Sequence, residues 1–343
     1  MAITEQTNKP VSPISQNFSV RRFVYPTLLL IIYAAWFGYM FLSDSWDLFA
    51  KYWPVSLTMT LGSFVAGATA EGGAAVAFPV FTKVLHIPST DARTFGLMIQ
   101  AVGMTMAAVV IGVQRVKVLP RVIAWVSLGG IFGQILGTYF ISIPNPYPKI
   151  LFTFVATAFG VAMFISRWWM NWTPREDLPE WHNQYRGLFF LIGISGGIFA
   201  AQTGSGIDML TFIVLTLAFG IDEKISTPTT VTIMGLNSIV GFFLHGVISQ
   251  DIGIAWNYWL VAVPIVILGA PLGAYVASKV HRDGIIKFLL FLITVELVTT
   301  IWLIPFSTTA IIITAVVVLF AIACFVAMLR YRQQKFSKKI QHV

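Results

Sequence analysis

The sequence predicts an all-α integral membrane protein with about eight full spans and two broken, re-entrant helical hairpins. Hydrophobic residues make up 57% of the 343-residue chain and charged residues only 10%, whereas soluble domains carry roughly 25% charged residues. The mean hydropathy is +0.80. Most of the apolar runs are close to the ~20 residues that one crossing requires. A composition of this kind leaves no room for a large soluble domain.

The apolar runs divide the chain into segments. The N-terminal residues are polar and end in Arg21-Arg22, so we expect a disordered cytoplasmic tail and not a cleaved signal peptide. The runs that follow cover 25–42, 54–81, 94–113, 122–141, 150–165, 187–219, 228–248, 256–277, 288–304 and 309–328. The predicted organisation is 1–24 tail, 25–53 first span and loop, 54–170 repeat 1, 171–186 cytoplasmic linker, 187–305 repeat 2, and 306–343 last span and basic cytoplasmic tail.

Two stretches, 54–86 and 187–219, are too long for one crossing and are interrupted by Gly, Ser and Thr near their middle. Each could be a long broken span, or a hairpin of two half-length helices that enters and leaves by the same face. If every run crosses, 15 of the 22 Lys and Arg residues lie inside. If the two stretches are hairpins, 18 lie inside. The second arrangement agrees better with the positive-inside rule, and it predicts that both termini are cytoplasmic.

The chain also repeats itself. Gly133-x-x-x-Gly137-x-Tyr139 recurs as Gly269-x-x-x-Gly273-x-Tyr275, and the break at Glu71-Gly72-Gly73 aligns with Gly204-Ser205-Gly206. Each copy holds one hairpin and three spans. Because three is odd, the second copy would be inverted in the bilayer, an architecture that many transporters share. We interpret the Gly-x-x-x-Gly pairs as helix-packing positions.

The two hairpin tips are the predicted binding site, and we expect them to meet near the middle of the bilayer. Broken helices expose backbone N–H groups that favour an anion. The tip residues assigned to substrate binding are Thr69, Gly72, Gly73, Gln202, Thr203, Ser205 and Gly206. The alternative for the polar side chains is that they cap the broken helices.

The spans that follow the hairpins begin with polar residues. Arg93 is the cation placed to reach an anion site from its rim, and Thr227 and Thr229 start the corresponding span of the second copy. The alternative for these starts is helix capping. Deeper in the same spans, Gln100 and Asn237 either line the cavity or bond another helix.

Four ionisable residues lie within apolar runs, where they are costly unless paired or wet. Glu71, Asp208 and Glu296 are the candidates for proton coupling. Alternatively, Glu71 pairs with Arg93, Asp208 caps a half-helix and Glu296 makes a packing hydrogen bond. His245 is expected at the membrane interface.

Other classes of protein have weaker support. Gly193-x-Ser195-x-Gly197 matches a serine-hydrolase pattern, so an intramembrane hydrolase of rhomboid type that uses Ser195 and His245 is the alternative function. No ATP-binding motif and no metal-ligand cluster is present in the sequence, and Cys324 is the one cysteine. No cofactor is expected. The basic residues lie in short loops and the tail, which indicates anionic lipid and not nucleic acid as their partner.

The pattern resembles the sulfite exporter TauE/SafE family of membrane transporters. The similarity covers about residues 55–305 and is carried by Glu71-Gly72-Gly73 with Pro79, by Asp91-Ala92-Arg93-Thr94, and by Gly204-Ser205-Gly206 followed by Ser226-Thr227-Pro228. The resemblance implies a carrier that works without ATP on sulfite, organosulfonates or related anions. In this chain Glu71 interrupts the glycine run, and Phe212 replaces the second proline.

The sequence thus predicts a secondary transporter, and not an enzyme, in the cytoplasmic membrane. Its expected substrate is a small sulfur-containing anion, either sulfite or an organosulfonate such as sulfoacetate. Transport by alternating access would be coupled to protons or to the membrane potential. The expected partners are this anion and the membrane lipids, and a homodimer is also compatible with the sequence.

Overall fold

The computed structural model describes residues 17–69, 73–144, 146–169, 174–304 and 307–336. Within these ranges the chain forms twelve α-helices and no β-strand, which confirms the predicted all-α class. The helices are α1 (Asn17–Leu42), α2 (Asp47–Ala68), α3 (Ala74–Pro79), α4 (Ser89–Val113), α5 (Pro120–Tyr139), α6 (Tyr147–Phe164), α7 (Asn183–Thr203), α8 (Ile207–Ile213), α9 (Glu223–Phe243), α10 (Ala255–Lys279), α11 (Arg282–Leu303) and α12 (Thr308–Phe336). Glu71 and Gly72 lie outside the described residues.

Eight of the described helical segments are long and apolar enough to cross a membrane, so the chain is a multi-pass membrane protein. They are Phe23–Leu42, Ser89–Val113, Pro120–Tyr139, Asn183–Thr203, Glu223–Ile248, Ala255–Lys279, Ile286–Leu303 and Thr308–Gln334. Both terminal helices are longer than predicted. The first begins at Asn17, inside the stretch predicted as a tail, because once an apolar run has nucleated a helix each further turn adds hydrogen bonds without a new nucleation cost.

The second long stretch forms a re-entrant hairpin. α7 ends at the break Gly204–Gly206, and α8 continues into a π-helical turn at Val214–Ala218. Ile207 lies against Gly196. At the other end the ring of Phe219 contacts those of Tyr185 at 5.3 Å and Phe189 at 5.6 Å. The returning limb therefore runs back along α7, and we call residues 183–219 hairpin 2.

The first long stretch forms a similar hairpin from α2, α3 and a π-helical turn at Val80–Val84. Ala77 lies beside Gly62. Further back, Phe81 and Tyr52 both contact the ring of Tyr258, at 6.5 and 5.1 Å. We call residues 47–84 hairpin 1.

The limbs of each hairpin differ in length, which corrects the prediction of two half-length helices. α2 has 22 residues and α7 has 21, whereas the returning limbs are the short α3 and α8 with their π-helical turns. The first limbs are longer because each starts in the polar residues that precede the apolar run, at Asp47 and Asn183. The start of an apolar run in the sequence does not show that the polar residues before it are also helical.

The Gly-x-x-x-Gly pairs pack helices that run in the same direction, as predicted for packing positions. Gly269 and Gly273 of α10 lie against Ser63 and Phe64 of α2. In the same way α5 packs along α7, where Gly137 meets Ala201. A Cβ at these glycines would overlap the neighbouring helix, so the backbones can approach closely only because no side chain intervenes.

Helix directions place the two hairpins on opposite faces. α4 runs parallel to α10, since Met98 accepts a hydrogen bond from Trp259 Nε1 at 3.1 Å and Gly103 lies against Val266. α4 runs antiparallel to α9, in which Gly235 lies beside Thr105. Since α9 runs parallel to α5, α2, α4 and α10 point one way and α5, α7 and α9 the other. This arrangement is what an inverted repeat requires, while the duplication itself stays a prediction.

We call the face at which α5, α7 and α9 begin the basic face. Lys117 lies in a loop at this face, and Arg121, Arg186 and Lys224 lie in the first turns of α5, α7 and α9. Lys117 Nζ lies 2.8 Å from Asp177 Oδ2, which joins the loop after α4 to the linker before α7. This hydrogen bond raises the pKa of the Lys117 ammonium.

Candidate functional site

Both hairpin tips line one narrow cavity, which we call the tip cavity. Ala66 and Gly73 come from hairpin 1, and Thr203 and Gly204 come from hairpin 2. α4 forms a third wall and α10 a fourth. Most of the wall is apolar, and its polar side chains are Ser63, Gln100 and Thr203. The expected meeting of the two tips is therefore seen as a shared cavity.

Gln100 joins α4 to the tip of hairpin 2. Its Nε2 donates to the carbonyl of Gly204 at 2.7 Å and to that of Gly96 at 3.1 Å. Gln100 Oε1 and Ser63 Oγ are buried and have no hydrogen-bond partner among the described residues. A buried polar atom without a partner costs ~1–3 kcal/mol, so these two atoms favour a polar guest in the cavity.

Gly204 is held between α7 and the start of α4. Its φ of +81° ends α7 in the left-handed region, where glycine is preferred. A Cβ at this position would lie 2.8 Å from the carbonyl oxygen of Arg93. The Arg93 side chain is half-buried, and its Nε has no hydrogen-bond partner in the described part of the chain. The backbone of Arg93 thus lies beside the tip of hairpin 2, while its side chain does not line the tip cavity.

Gln202 does not face the tip cavity. Its Nε2 donates to the carbonyls of Gly137 and Ile141, both at 2.7 Å, and its Oε1 accepts from the N–H of Ile143 at 3.2 Å. These bonds attach hairpin 2 to the end of α5. We correct its predicted role from binding substrate to positioning the tip, because the whole amide is used by the backbone.

Asp208 closes the break in hairpin 2. Its Oδ1 accepts from the N–H groups of Gly206 and Met209, each at 3.0 Å, and from Ser205 Oγ at 3.4 Å. The hydroxyl of Thr203 donates to Phe199 O at 3.0 Å. The carboxylate therefore occupies the helix start at which we expected a substrate oxyanion, and capping is the role that its contacts show.

Hairpin 1 is closed differently. The hydroxyl of Thr69 donates to Val65 O at 3.1 Å, so this side chain caps the end of α2. Gly73 begins α3 and faces the tip cavity. The predicted coupling residue Glu71 and the adjoining Gly72 cannot be placed here, as both fall outside the described residues.

The polar residues of α9 separate into three roles. Thr229 Oγ1 donates to Ile225 O at 2.6 Å and accepts from the N–H of Leu119 at 3.1 Å, which fixes the loop before α5. Asn237 is buried against Gly130 of α5, away from the tip cavity. Thr227 lines a separate cavity at the basic face.

Glu296 forms a buried ion pair that the sequence analysis missed. Lys83 Nζ lies 3.1 Å from Glu296 Oε1 and donates to Thr300 Oγ1 at 2.7 Å. Thr153 Oγ1 donates to the same carboxylate oxygen at 2.7 Å. Lys83 lies just after the apolar run 54–81, where a lysine is expected to face water. The available signal was Glu296 itself, since an acid in the middle of a span requires a partner.

The two residues of the hydrolase alternative lie apart. His245 is buried in the turn that follows α9, with Nδ1 2.8 Å from Asp251 Oδ1. Ser195 is exposed on α7, in an apolar groove formed with α12. No contact in the described part of the chain joins Ser195 to His245.

Residues 55–300 match the sequence model of the family described as sulfite exporter TauE/SafE. The match spans well over half of the chain and confirms the resemblance. Members of this family are transporters and not enzymes, which excludes the hydrolase alternative. Comparisons with curated proteins and with solved structures found no match.

Proposed function

This chain belongs to the sulfite exporter TauE/SafE family, and from that premise we propose that it is a secondary transporter that binds a small sulfur-containing oxyanion in the tip cavity. Sulfite and organosulfonates such as sulfoacetate are the proposed substrates. The observation that carries the proposal is that two hairpins entering from opposite faces line a single cavity. Such a cavity can open to either face without the site being rebuilt.

The chemistry of the wall fits an oxyanion with a small apolar body. Ser63 supplies a hydroxyl group that has no partner among the described residues, whereas Gln100 and Thr203 use their hydrogen-bond donors to hold the tip of hairpin 2. We propose that the Arg93 side chain, whose backbone lies beside the tip of hairpin 2, turns towards the cavity when the anion binds. In a low-dielectric site, such charge-assisted hydrogen bonds are about twice as strong as neutral ones. The apolar remainder of the wall would accept the carbon chain of an organosulfonate.

Alternating access would come from movement of the hairpins against α4. The tip of hairpin 2 is attached to α4 through Gln100 and lies on the Arg93 backbone. A shift of this tip would open the cavity to the face at which α4 begins. We also propose that the basic face is cytoplasmic, in the cytoplasmic membrane, because cytoplasmic loops carry the excess of Lys and Arg.

Proton coupling is proposed for Glu71, since contacts within the protein already engage Asp208 and Glu296. A carboxylate at the tip would repel the anion when ionised and tolerate it when protonated. Glu71→Gln should abolish the pH dependence of transport and leave anion binding measurable. Unchanged pH dependence would reject this role and leave the membrane potential as the driving force.

The proposal is tested by transport and binding with the purified protein. We expect sulfite or sulfoacetate to raise the apparent melting temperature by mass action and to be transported in proteoliposomes. Because Gln100→Leu leaves the buried carbonyl of Gly204 without its donor, which costs ~1–3 kcal/mol, the variant should displace the tip of hairpin 2 and weaken binding roughly 10- to 100-fold. The matched control is Gln114→Leu, which alters an exposed amide at the end of the same helix. If none of these anions stabilises the protein and none is transported, the proposal is contradicted.

A further inference from the structure

A second cavity lies at the basic face, beyond the tip of hairpin 1. Its walls include Gly67 of α2, Ile111 of α4, Thr227 of α9 and Ala274 of α10, and Lys224 also lines it. We call it the basic-face cavity. Gly67 is two residues from Thr69, which caps α2, so this cavity adjoins the tip of hairpin 1 on the side away from Arg93.

Thr227 is the internal polar group of the basic-face cavity. The residue is 3% exposed, and its Oγ1 has no hydrogen-bond partner among the described residues. Its own helix does not satisfy the hydroxyl, whereas that of Thr229 two residues later is fully bonded. A buried hydroxyl without a partner is costly, so this atom favours a polar guest in the cavity.

Positive charge lies close to this hydroxyl. Lys224 is exposed in the first turn of α9, and the ion pairs of the described residues do not include it. The helix start adds a partial positive charge. The nearest acid along the chain is the adjacent Glu223, which is buried and has contacts of its own. Asp222 caps the helix, since its Oδ1 accepts from the backbone N–H of Lys224 at 2.8 Å. Lys224 is therefore the group at this cavity that is free to attract an anion from solution.

Lys224 has a place in repeat 2 that resembles the place of Arg93 in repeat 1, although the two residues are not aligned in the repeat. α4 follows hairpin 1 and α9 follows hairpin 2, and each residue lies within the first two turns of its helix. Arg93 lies beside the tip of hairpin 2, and Lys224 lines the cavity beside the tip of hairpin 1. Each hairpin tip thus has a basic residue on the face towards which its first limb points.

We propose that the basic-face cavity is a second anion site, at which the oxyanion group of the transported substrate docks between Lys224 and the Thr227 hydroxyl. The inference rests on the proposed function and adds to it a docking position between the basic face and hairpin 1. Its ligand is a small oxyanion. The Thr227 hydroxyl is its internal hydrogen-bond donor, and the Lys224 ammonium attracts it from solution.

The test measures the KM for sulfite separately from each face, in right-side-out and inside-out vesicles of neutral phosphatidylcholine, so that anionic lipid cannot fill the cavity. We expect Lys224→Gln to raise the KM from the basic face roughly tenfold and to leave the KM from the opposite face unchanged. Lys224→Arg should keep the wild-type KM. Thr227→Val should act like Lys224→Gln, and Thr227→Ser should keep the wild-type value.

Arg186→Gln is the matched control, because it removes one positive charge from the same face at the start of α7, outside the cavity. An equal KM shift for Arg186→Gln and Lys224→Gln would show a general surface potential and overturn the docking site. If Lys224→Gln does not shift the KM while Gln100→Leu abolishes transport from both faces, the docking site is overturned. The proposed function then stands. A wild-type protein that transports neither sulfite nor sulfoacetate would overturn both.

Discussion

Lys83 Nζ lies 3.1 Å from Glu296 Oε1, and both side chains are almost completely buried. The pair joins the returning limb of hairpin 1 to α11, and Thr153 connects it to α6. Hairpin 1 is therefore anchored by an ion pair at its end, while its tip faces the cavity.

Removal of one partner of this pair should destabilise the protein more than removal of both. Lys83→Met leaves a buried carboxylate without its cation and should cost ~3–5 kcal/mol, whereas the double variant Lys83→Met/Glu296→Leu should be close to wild type. Thermal unfolding in detergent measures the three proteins under one condition. If the single variant is as stable as wild type, the ion pair does not hold hairpin 1 in place.

Gly204→Ala should damage the tip of hairpin 2. The residue has a φ of +81°, and a Cβ would lie 2.8 Å from Arg93 O, so the change costs ~1–3 kcal/mol in backbone strain alone. We expect lower stability and a loss of transport. Gly112→Ala is the control, because a Cβ at that helical position meets nothing within 4 Å. Equal behaviour of the two variants would argue against the tight contact between hairpin 2 and α4.

The end of α12 should stabilise the base of hairpin 2. Arg332 Nη1 donates to Thr216 O in the π-helical turn at 3.1 Å, and its guanidinium lies against Gly220. Arg332→Ala should cost ~1–2 kcal/mol and make the chain after hairpin 2 more sensitive to trypsin. Arg330→Ala removes an exposed charge two residues away and should change neither property. Matching protease patterns for both variants would contradict this role of α12.

Cysteine labelling separates a hairpin from a broken span. In a Cys324→Ser background, Arg186→Cys and Lys224→Cys flank hairpin 2 and should be labelled from the same side of the membrane. Lys51→Cys and Thr90→Cys lie towards the two ends of hairpin 1, and both should be labelled from the other side. All four positions are exposed and lie near the start of a helix. Labelling of Arg186→Cys and Lys224→Cys from opposite sides would show that residues 187–219 cross the membrane.

The sequence predicted the fold class and the positions of both breaks because hydrocarbon penalises polar groups steeply, so that apolar length and glycine interruptions are strong signals. It also identified Asp208 and Glu296 as residues that need partners. It did not identify Lys83 as the partner of Glu296, since a lysine in a polar joint normally faces water. Nor did it show that Gln202 bonds the end of α5, because a glutamine at a tip can equally well bind substrate or bond a neighbouring helix.

The sequence by itself determined that this protein is a multi-pass helical membrane protein with two glycine-broken stretches and a TauE/SafE pattern. Each of these features follows from local composition, since the cost of leaving backbone or charge unpaired in hydrocarbon depends on few neighbours. Only the tertiary structure decided which polar groups close the breaks and which face a cavity. That choice depends on contacts between residues far apart in the chain, such as Gln100 with Gly204. For the same reason the sequence did not show that Arg93 and Lys224 each lie near the tip of the other repeat's hairpin.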